Sequence, residues 1–246
     1  MPSFKNFMAL AVAFAGAAGS VAAQDRPTTA FQITPYVWAT GVGGDIKPFT
    51  GAPTVSISKS FSDLLGDLDA AFFISAYARH GNVVFMGDLS TSSSSREGSV
   101  PALGGLPATG KLRQTSVTAL AGYRVAQTPD ASFDILGGAR HWRVRGTVET
   151  PLADASRSVS FTDPIIAARA NFQISPGWSA LLYADVGGFG VGSRRTAQLL
   201  GTVNYQMREN VFLSVGYRHL HVDYRDGGTE FDMRMSGPII GATLRF

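Results

Sequence analysis

The 246-residue chain contains no cysteine, so disulfides cannot stabilise it. Charged residues make up only 16% of the chain, and Lys and Arg outnumber Asp and Glu by just 21 to 18. No stretch combines clustered basic residues with interleaved aromatics, which argues against a nucleic-acid partner. Beyond the first residues, no apolar run approaches the roughly 18 residues of a membrane-spanning helix. These absences exclude a disulfide scaffold, a nucleic-acid-binding surface and a helical membrane protein.

The start of the chain is organised like a secretory signal peptide. Lys5 precedes an apolar run over 7–16, and small residues follow at 21–23. We predict cleavage after residue 23, so that 1–23 is removed and 24–246 forms one barrel domain. The alternative is an uncleaved anchor. An exported chain without cysteine needs a large core, or another source of stability in place of disulfides.

Apolar and polar residues alternate repeatedly along the rest of the chain. The last ten residues, GPIIGATLRF, show this pattern, and similar segments of around ten residues recur. A period of two is typical of a strand with an apolar medium on one face and a polar medium on the other. Ten strands are predicted, at 30–45, 70–80, 82–93, 112–125, 131–147, 160–174, 178–190, 195–207, 210–225 and 232–246.

The connections between these strands alternate between two kinds. Tight turns rich in Gly, Pro, Asn or Asp are predicted at 80–82, 127–130, 175–177 and 208–210. Longer links are predicted at 46–69, 94–111, 148–159, 191–194 and 226–231. Outer-membrane barrels have short periplasmic turns and longer external loops in this order. We therefore predict an all-β fold: a single closed antiparallel transmembrane barrel of ten strands, with eight strands as the alternative.

The alternation assigns apolar side chains to lipid and polar ones to the lumen. The inward-facing charged candidates are Arg79, Asp88, Arg124, Asp134, Arg140, Asp163, Arg169, Asp185, Arg218 and Arg245. One interpretation is a narrow, anion-leaning passage lined by guanidinium groups. The other is a lumen that these side chains fill and close by pairing, because small barrels can be closed by their side chains and buried charges need partners.

Several stretches resemble those of a widespread set of uncharacterised Gram-negative outer-membrane barrel proteins. The most specific are FSDLL at 61–65 and DVGGFGVGS at 185–193, and the resemblance spans nearly the whole mature chain. It implies a small porin-like barrel in the outer membrane and carries no agreed activity.

The chain end resembles an assembly signal of this class of protein. Phe246 ends a strand with apolar residues at alternate positions, namely Leu244, Ala242 and Ile240. In this class the outer-membrane assembly machinery recognises a terminal aromatic strand. The resemblance therefore implies the barrel assembly machinery and periplasmic chaperones as partners, with outer-membrane lipid and lipopolysaccharide around the barrel.

Two other segments allow more than one interpretation. His219, His221 and Asp223 share one side of a strand, within reach of a single metal ion, but the spacing is weakly specific and fits a solvated rim equally. No metal and no cofactor are therefore expected. Apolar residues at helical spacing in 61–68, with Ser60 or Ser62 as a cap, predict a short amphipathic helix. This helix is either a lid over the mouth or a packed loop.

No catalytic motif is present, and His141, His219 and His221 are predicted to face outward, leaving no inward acid-base pair at the external mouth. We expect a non-enzymatic outer-membrane barrel of structural or narrow-pore character, the latter passing small solutes. The alternatives are a surface-interaction or adhesion protein acting through its external loops and, by fold analogy alone, an outer-membrane hydrolase.

Overall fold

The computed structural model describes residues 29–47, 50, 54–100, 106–152 and 154–246, and the predicted signal peptide lies outside them. The described residues form twelve strands and one short helix. They are β1 (Thr29–Trp38), β2 (Gly41–Lys47), β3 (Val55–Lys59), α1 (Phe61–Asp67), β4 (Leu68–His80), β5 (Val83–Val100), β6 (Leu106–Gln127), β7 (Ala131–Glu149), β8 (Asp154–Ser175), β9 (Trp178–Gly187), β10 (Arg195–Arg208), β11 (Val211–Asp226) and β12 (Thr229–Arg245). No helix in this part of the chain is long and apolar enough to cross a membrane.

The strands close into an antiparallel barrel of ten. β1 and β2 form one barrel strand, interrupted at 39–40, because both pair with β12: Tyr36 lies opposite Gly241, and Val42 lies opposite Met235. β1 also pairs with β4, β4 to β12 follow in sequence order, and the pairing of β12 with the β1–β2 strand closes the ring. β3 pairs only with β2 and stands outside the ring. The predicted ten-stranded closed barrel is confirmed, and the eight-stranded alternative is wrong.

The two ends of the barrel differ. At one end, here called the turn end, the chain crosses between strands at 81–82, 128–130, 176–177 and 209–210. The end of the chain lies there too, where Phe31 and Phe246 exchange two backbone hydrogen bonds of 3.1 and 2.8 Å. The opposite end is called the loop end. The predicted tight turns all lie at the turn end.

The connections at the loop end differ from the prediction. The predicted links 94–111 and 148–159 are mostly strand, because β5 and β6, and likewise β7 and β8, continue through most of them as tall hairpins. The predicted link 226–231 is a two-residue turn at Gly227 and Gly228, with φ of 54° and 78°. A tight hairpin turn needs these left-handed conformations, which glycine adopts without strain. The loop end therefore differs from the turn end mainly because its strands extend further, and less because its loops are longer.

The first connection contains the predicted short helix. Ser60 caps α1, since the Asp63 backbone N–H donates to Ser60 Oγ at 3.3 Å and the Ser60 N–H donates to Asp63 Oδ2 at 2.9 Å. Hydrogen bonds from the Ser60 side chain and backbone hold the pKa of the Asp63 carboxyl below its usual range. α1 lies against β2, β3 and β5 at the loop end. The strand β3, which precedes the helix, was not predicted.

Outward-facing apolar side chains form a belt next to the turn end. The exposed members include Phe85, Val117, Ile135, Ile166, Leu182, Val203, Leu213, Val215, Tyr217 and Ile240. Aromatic pairs lie at its turn-end edge, among them Trp178 and Tyr205 with ring centroids 4.8 Å apart. Towards the loop end the belt stops where His141 and His219 take the outward positions on β7 and β11. An apolar outer surface of this extent suits the hydrocarbon core of a bilayer.

Candidate functional site

The ten predicted charged residues all lie on the inward faces of their strands. Asp134, Arg140, Asp163, Asp185 and Arg218 are buried. Arg79, Asp88, Arg124 and Arg169 are half-buried, and Arg245 is exposed at the turn end. The structure brings most of them into three hydrogen-bonded networks across the lumen.

The first network centres on Arg218. Its Nη1 donates to the Tyr36 hydroxyl at 2.6 Å and its Nη2 to Asp88 Oδ1 at 3.4 Å, while the Tyr36 hydroxyl donates to Asp88 Oδ2 at 2.8 Å. Arg218 Nε and Nη2 both donate to Gln198 Oε1, at 3.1 and 2.7 Å. The guanidinium carbon lies 4.6 Å from the centre of the Trp38 ring. This network ties together β1, β5, β10 and β11 across the lumen.

The second network is a bidentate ion pair between Arg140 and Asp185. Arg140 Nη2 and Nη1 donate to the two carboxylate oxygens at 2.6 and 3.2 Å. Arg140 Nε donates to Thr118 Oγ1 at 3.0 Å, and the Tyr183 hydroxyl donates to Asp185 Oδ2 at 2.7 Å. The ionic side chains are almost fully enclosed, with 2% and 0% of their surfaces exposed. Such a buried pair is tolerated because its remaining polar atoms also have partners.

The third network lies nearer the turn end, around Asp134. Its carboxylate accepts hydrogen bonds from Arg124 Nε at 2.8 Å, Arg169 Nη1 at 3.2 Å and the Tyr77 hydroxyl at 3.0 Å. The Arg169 guanidinium also stacks 4.1 Å above the Tyr77 ring. Arg245 lies apart from this network and stacks on Phe212 at 4.1 Å. The turn-end half of the lumen therefore carries an excess of positive charge.

Asp163 belongs to none of the three networks, whereas Asp88, Asp134 and Asp185 each pair with an arginine. Asp163 is fully buried, and its Oδ1 accepts the backbone N–H of Ser193 at 2.6 Å. Ser193 belongs to the glycine-rich connection 188–194, in which Phe189 has a left-handed φ of 48°. Asp163 thus fastens the DVGGFGVGS segment to the barrel wall, and it lies directly opposite Arg140 on the neighbouring strand.

The loop-end half of the lumen is filled by apolar side chains, here called the aromatic plug. Its members are Tyr36, Trp38, Phe73, Trp142, Phe161, Leu220, Val222, Tyr224, Met235 and Ile239. The rings stack on one another: centroids lie 4.4 Å apart for Phe161 and Tyr224, and 6.3 Å apart for Trp142 and Phe161. Trp142 and Leu220 expose only 3% and 1% of their surfaces. The plug closes the lumen above the Arg218 network.

Between the plug and the turn end lies a cavity of about 120 Å³. Arg169, Arg218 and Arg245 line it together with polar residues of several strands, including Gln32, Thr34, Asn171, Ser179, Thr202, Asn204, Ser214 and Thr243. A cavity of this size holds only a few water molecules. The interior is therefore a small polar chamber under an apolar seal.

The four histidines of the chain all lie outside the lumen. His219 Nδ1 is 2.5 Å from Ser236 Oγ, and His221 Nε2 is 2.8 Å from Asp232 Oδ1, so both are held by β12. Within the described residues, no group of three or more His, Asp or Glu side chains could hold a metal ion. The candidate pair His219 and His221 therefore lacks a third ligand in this part of the chain.

The terminal residues lie at the seam of the barrel. β12 pairs with both β11 and the β1–β2 strand, and Leu244 and Ile240 project from its outer face with 41% and 60% of their surfaces exposed. The Phe246 ring lies 5.9 Å from the Phe31 ring. Ala242 shares the outward face of the strand with them. The last strand is thus the element that closes the ring.

Sequence reasoning missed the hydroxyl and amide groups that complete the networks, namely Tyr36, Tyr77 and Gln198, and it missed the aromatic plug. A signal for the plug was present, because Trp142 and Phe161 have the same strand parity as the inward-facing Arg140 and Asp163. An inward aromatic at the loop end of a strand indicates a filled lumen there.

No protein-family model matches the chain, and no curated protein matches it. Among solved structures it is similar to the outer membrane protease OmpT from Escherichia coli, at 10% identity over 89% of this chain and 97% of that one, with a TM-score of 0.54. Looser similarities include the translocator domain of the autotransporter NalP from Neisseria meningitidis, at 12% identity over 90% of each chain with a TM-score of 0.46. They also include Ail of Yersinia pestis, at 15% identity over 89% of this chain and 99% of that one with a TM-score of 0.38. The likeness to OmpT shows the fold, a closed barrel of the outer-membrane type.

Proposed function

We propose that the protein is an integral outer-membrane barrel with a sealed lumen and a structural role in the membrane. The turn end faces the periplasm and the loop end faces outward. Three features support this placement: the apolar belt, the closed ring of strands and the signal peptide predicted at 1–23.

The aromatic plug is the observation that carries the sealed lumen. A passage for ions through the loop-end half requires Phe161, Tyr224 and Trp142 to separate, which exposes stacked apolar surface to water. Beneath the plug, Arg218 is held by three side chains from different strands, Tyr36 and Asp88 among them. Its guanidinium is therefore a cross-brace and does not line an open selectivity ring.

Conductance in a planar bilayer tests this proposal. The refolded mature protein should insert and remain silent, whereas Trp142→Ala with Phe161→Ala should produce conductance steps because two stacked rings leave the seal. The matched control is Phe133→Ala with Phe172→Ala, which removes an aromatic pair, 5.5 Å apart, from the outer surface. Stable anion-selective steps from the unchanged protein, weakened by Arg218→Ala, would show a narrow pore instead.

A second candidate function is binding through the loop end. The wall formed by β5, β6, β7 and β8 supports it, because these strands have 18, 22, 19 and 22 residues, against 10 for β9. The wall therefore rises well beyond the belt. Deleting 97–109 removes the loop-end residues of β5 and β6 and the segment that joins them in the chain, and whole-cell adhesion should fall if this surface binds a partner. Unchanged adhesion would count against the surface role.

We propose no enzymatic activity. The protease named among the similar structures shares the fold at 10% identity, and that likeness transfers no chemistry. In the described part of the chain, every histidine lies outside the lumen and pairs with a hydroxyl or a carboxylate on its own surface. Peptide and ester substrates should therefore remain uncleaved by the refolded protein.

A further inference from the structure

Three arginines cluster on the outer surface of the barrel, and they are here called the arginine patch. Arg113 on β6 lies directly opposite Arg145 on β7, and Arg143 lies two residues before Arg145 on the same face. All three side chains are exposed. Directly opposite side chains have Cβ atoms about 5 Å apart, and neighbours two apart along a strand lie about 7 Å apart. The three guanidinium groups can therefore reach one common ligand.

The patch begins where the apolar belt ends. On β6, Thr115 and then Val117 follow Arg113 on the outward face, and Val117 is 45% exposed as part of the belt. On β7, which runs antiparallel to β6, His141 is the next outward residue from Arg143 towards the belt, and its Nδ1 lies 2.9 Å from Thr162 Oγ1. The hydrocarbon core of a bilayer is about 30 Å thick, and the polar headgroups bring the total to about 40–45 Å. Val117 lies opposite His141, so Arg143 lies one outward residue above the belt, and Arg113 and Arg145 lie two above it, which places the patch in this headgroup layer.

The charges of the patch are uncompensated within the described residues. There, no carboxylate lies within 4.0 Å of the guanidinium groups of Arg113, Arg143 or Arg145, and the hydrogen bond found is from Arg145 Nη2 to Ser156 Oγ at 3.4 Å. Lys111, next along β6, is already paired with Glu149 at 2.7 Å. Like charges directly opposite each other destabilise a sheet, so an anion bound between these arginines would stabilise it.

Other loop-end arginines on the far side of the barrel differ in this respect. Three of them lie near a carboxylate: Arg194 is 3.6 Å from Asp223, Arg225 is 3.4 Å from Asp223, and Arg234 is 3.9 Å from Asp232. The exposed Arg195 beside them forms no ion pair within the described residues. Carboxylates are therefore interspersed among the arginines on the far side, whereas none in the described part of the chain pairs with the three arginines of the β6–β7 face.

We propose that the arginine patch binds the phosphate groups of lipid headgroups in the outer leaflet, those of lipopolysaccharide in the outer membrane. The inference rests on the proposed outer-membrane location. Guanidinium groups bind phosphate through paired hydrogen bonds, and each basic residue near an anionic surface contributes roughly fivefold in binding. A ligand anchored by acyl chains in the belt presents its phosphates at this height.

Binding of lipopolysaccharide to the refolded protein in detergent tests the patch, with dephosphorylated lipopolysaccharide as the second probe. Arg113→Gln, Arg143→Gln and Arg145→Gln together should weaken binding of the phosphorylated lipid by roughly 100-fold. The control combines Arg194→Gln, Arg225→Gln and Arg234→Gln, which removes the same charge from the far side and should leave binding nearly unchanged. Equal loss in both variants would overturn the proposal.

Two further measurements ensure that the experiment can contradict the proposal. If the patch variant does not fold, as judged by heat-modifiable migration in gels, the unchanged protein decides alone: equal binding of phosphorylated and dephosphorylated lipid overturns the proposal. Displacement of the lipid by millimolar inorganic phosphate would identify a soluble-phosphate site and also overturn it. Failure of the sealed-barrel proposal would show separately, as conductance in the planar bilayer.

Discussion

Replacing Arg140 by methionine should strongly destabilise the barrel. Arg140 is 1% exposed and forms a bidentate pair with Asp185, and it also lies opposite the buried Asp163. Methionine keeps apolar volume in the lumen but leaves the enclosed carboxylate of Asp185 without its cation. Removing one partner of a buried pair costs about 3–5 kcal/mol. Because Asp185 has 0% of its side chain exposed and loses its only cationic partner, we expect a value of about 4 kcal/mol, within that range.

The assay is urea unfolding of the protein refolded in lipid vesicles, followed by tryptophan fluorescence. With a denaturant slope of about 2 kcal/mol/M, the expected loss lowers the midpoint by roughly 2 M. Adding Asp185→Leu to Arg140→Met should recover at least half of the loss, because the orphaned charge is then replaced by apolar packing. Arg208→Met, at an exposed position, is the control. An unchanged midpoint for Arg140→Met, or a double variant as unstable as the single one, would refute this reasoning.

Three further outcomes are expected. Acidification should destabilise α1. Hydrogen bonds from Ser60 lower the pKa of the Asp63 carboxyl in the folded protein. Their contribution to the stability of the helix is therefore complete above the pKa of Asp63 in the unfolded chain, about 4, and is lost as pH falls through the lower pKa of the folded state. Hydrogen exchange of the helix should rise in acid, and less so in Ser60→Ala; equal pH dependence in both proteins would contradict this. Gly216→Ala should prevent folding and so abolish the heat-modifiable band in gels, because the added Cβ would lie 1.9 Å from a backbone oxygen of β10. Gly137→Ala should fold, because its Cβ would lie 3.7 Å from the nearest backbone oxygen. Equal folding of both variants would show that neighbouring strands can shift to accommodate the extra methyl group. Deleting Phe246 should reduce assembly in cells more than refolding in vitro, and equal reduction would assign the residue a purely structural role.

Local pattern was sufficient to predict the strands and their faces. Each strand crosses between an apolar and a polar medium, so the alternation survives in every segment of the belt, as in Trp178–Gly187. The same logic failed at the loop end. Beyond the belt the outer face meets water, and serines such as those at 92–95 in β5 show no alternation although they are strand. The residues at which the strands end on the loop side could therefore not be predicted from the alternation of apolar and polar residues.

The partners of the inward charges could not be predicted, because strand parity tells which side chains face the lumen but not which ones meet there. Tyr36 and Arg218 are 182 residues apart in the chain, and Arg218 and Asp88 are 130 apart. Their contact depends on the diameter and register of the closed ring.

The alternation along each strand was enough to predict a closed barrel of ten strands, with eight as the alternative, and with polar and charged residues inside, because a period of two is a local property of a strand. Whether those charges line a passage or brace one another depends on contacts that form only in the folded barrel. Closure brings Trp142, Phe161 and Tyr224 into one stacked plug and joins Arg218 to three strands across the lumen. Whether a lumen is open or filled depends on distances between strands, which no local pattern encodes.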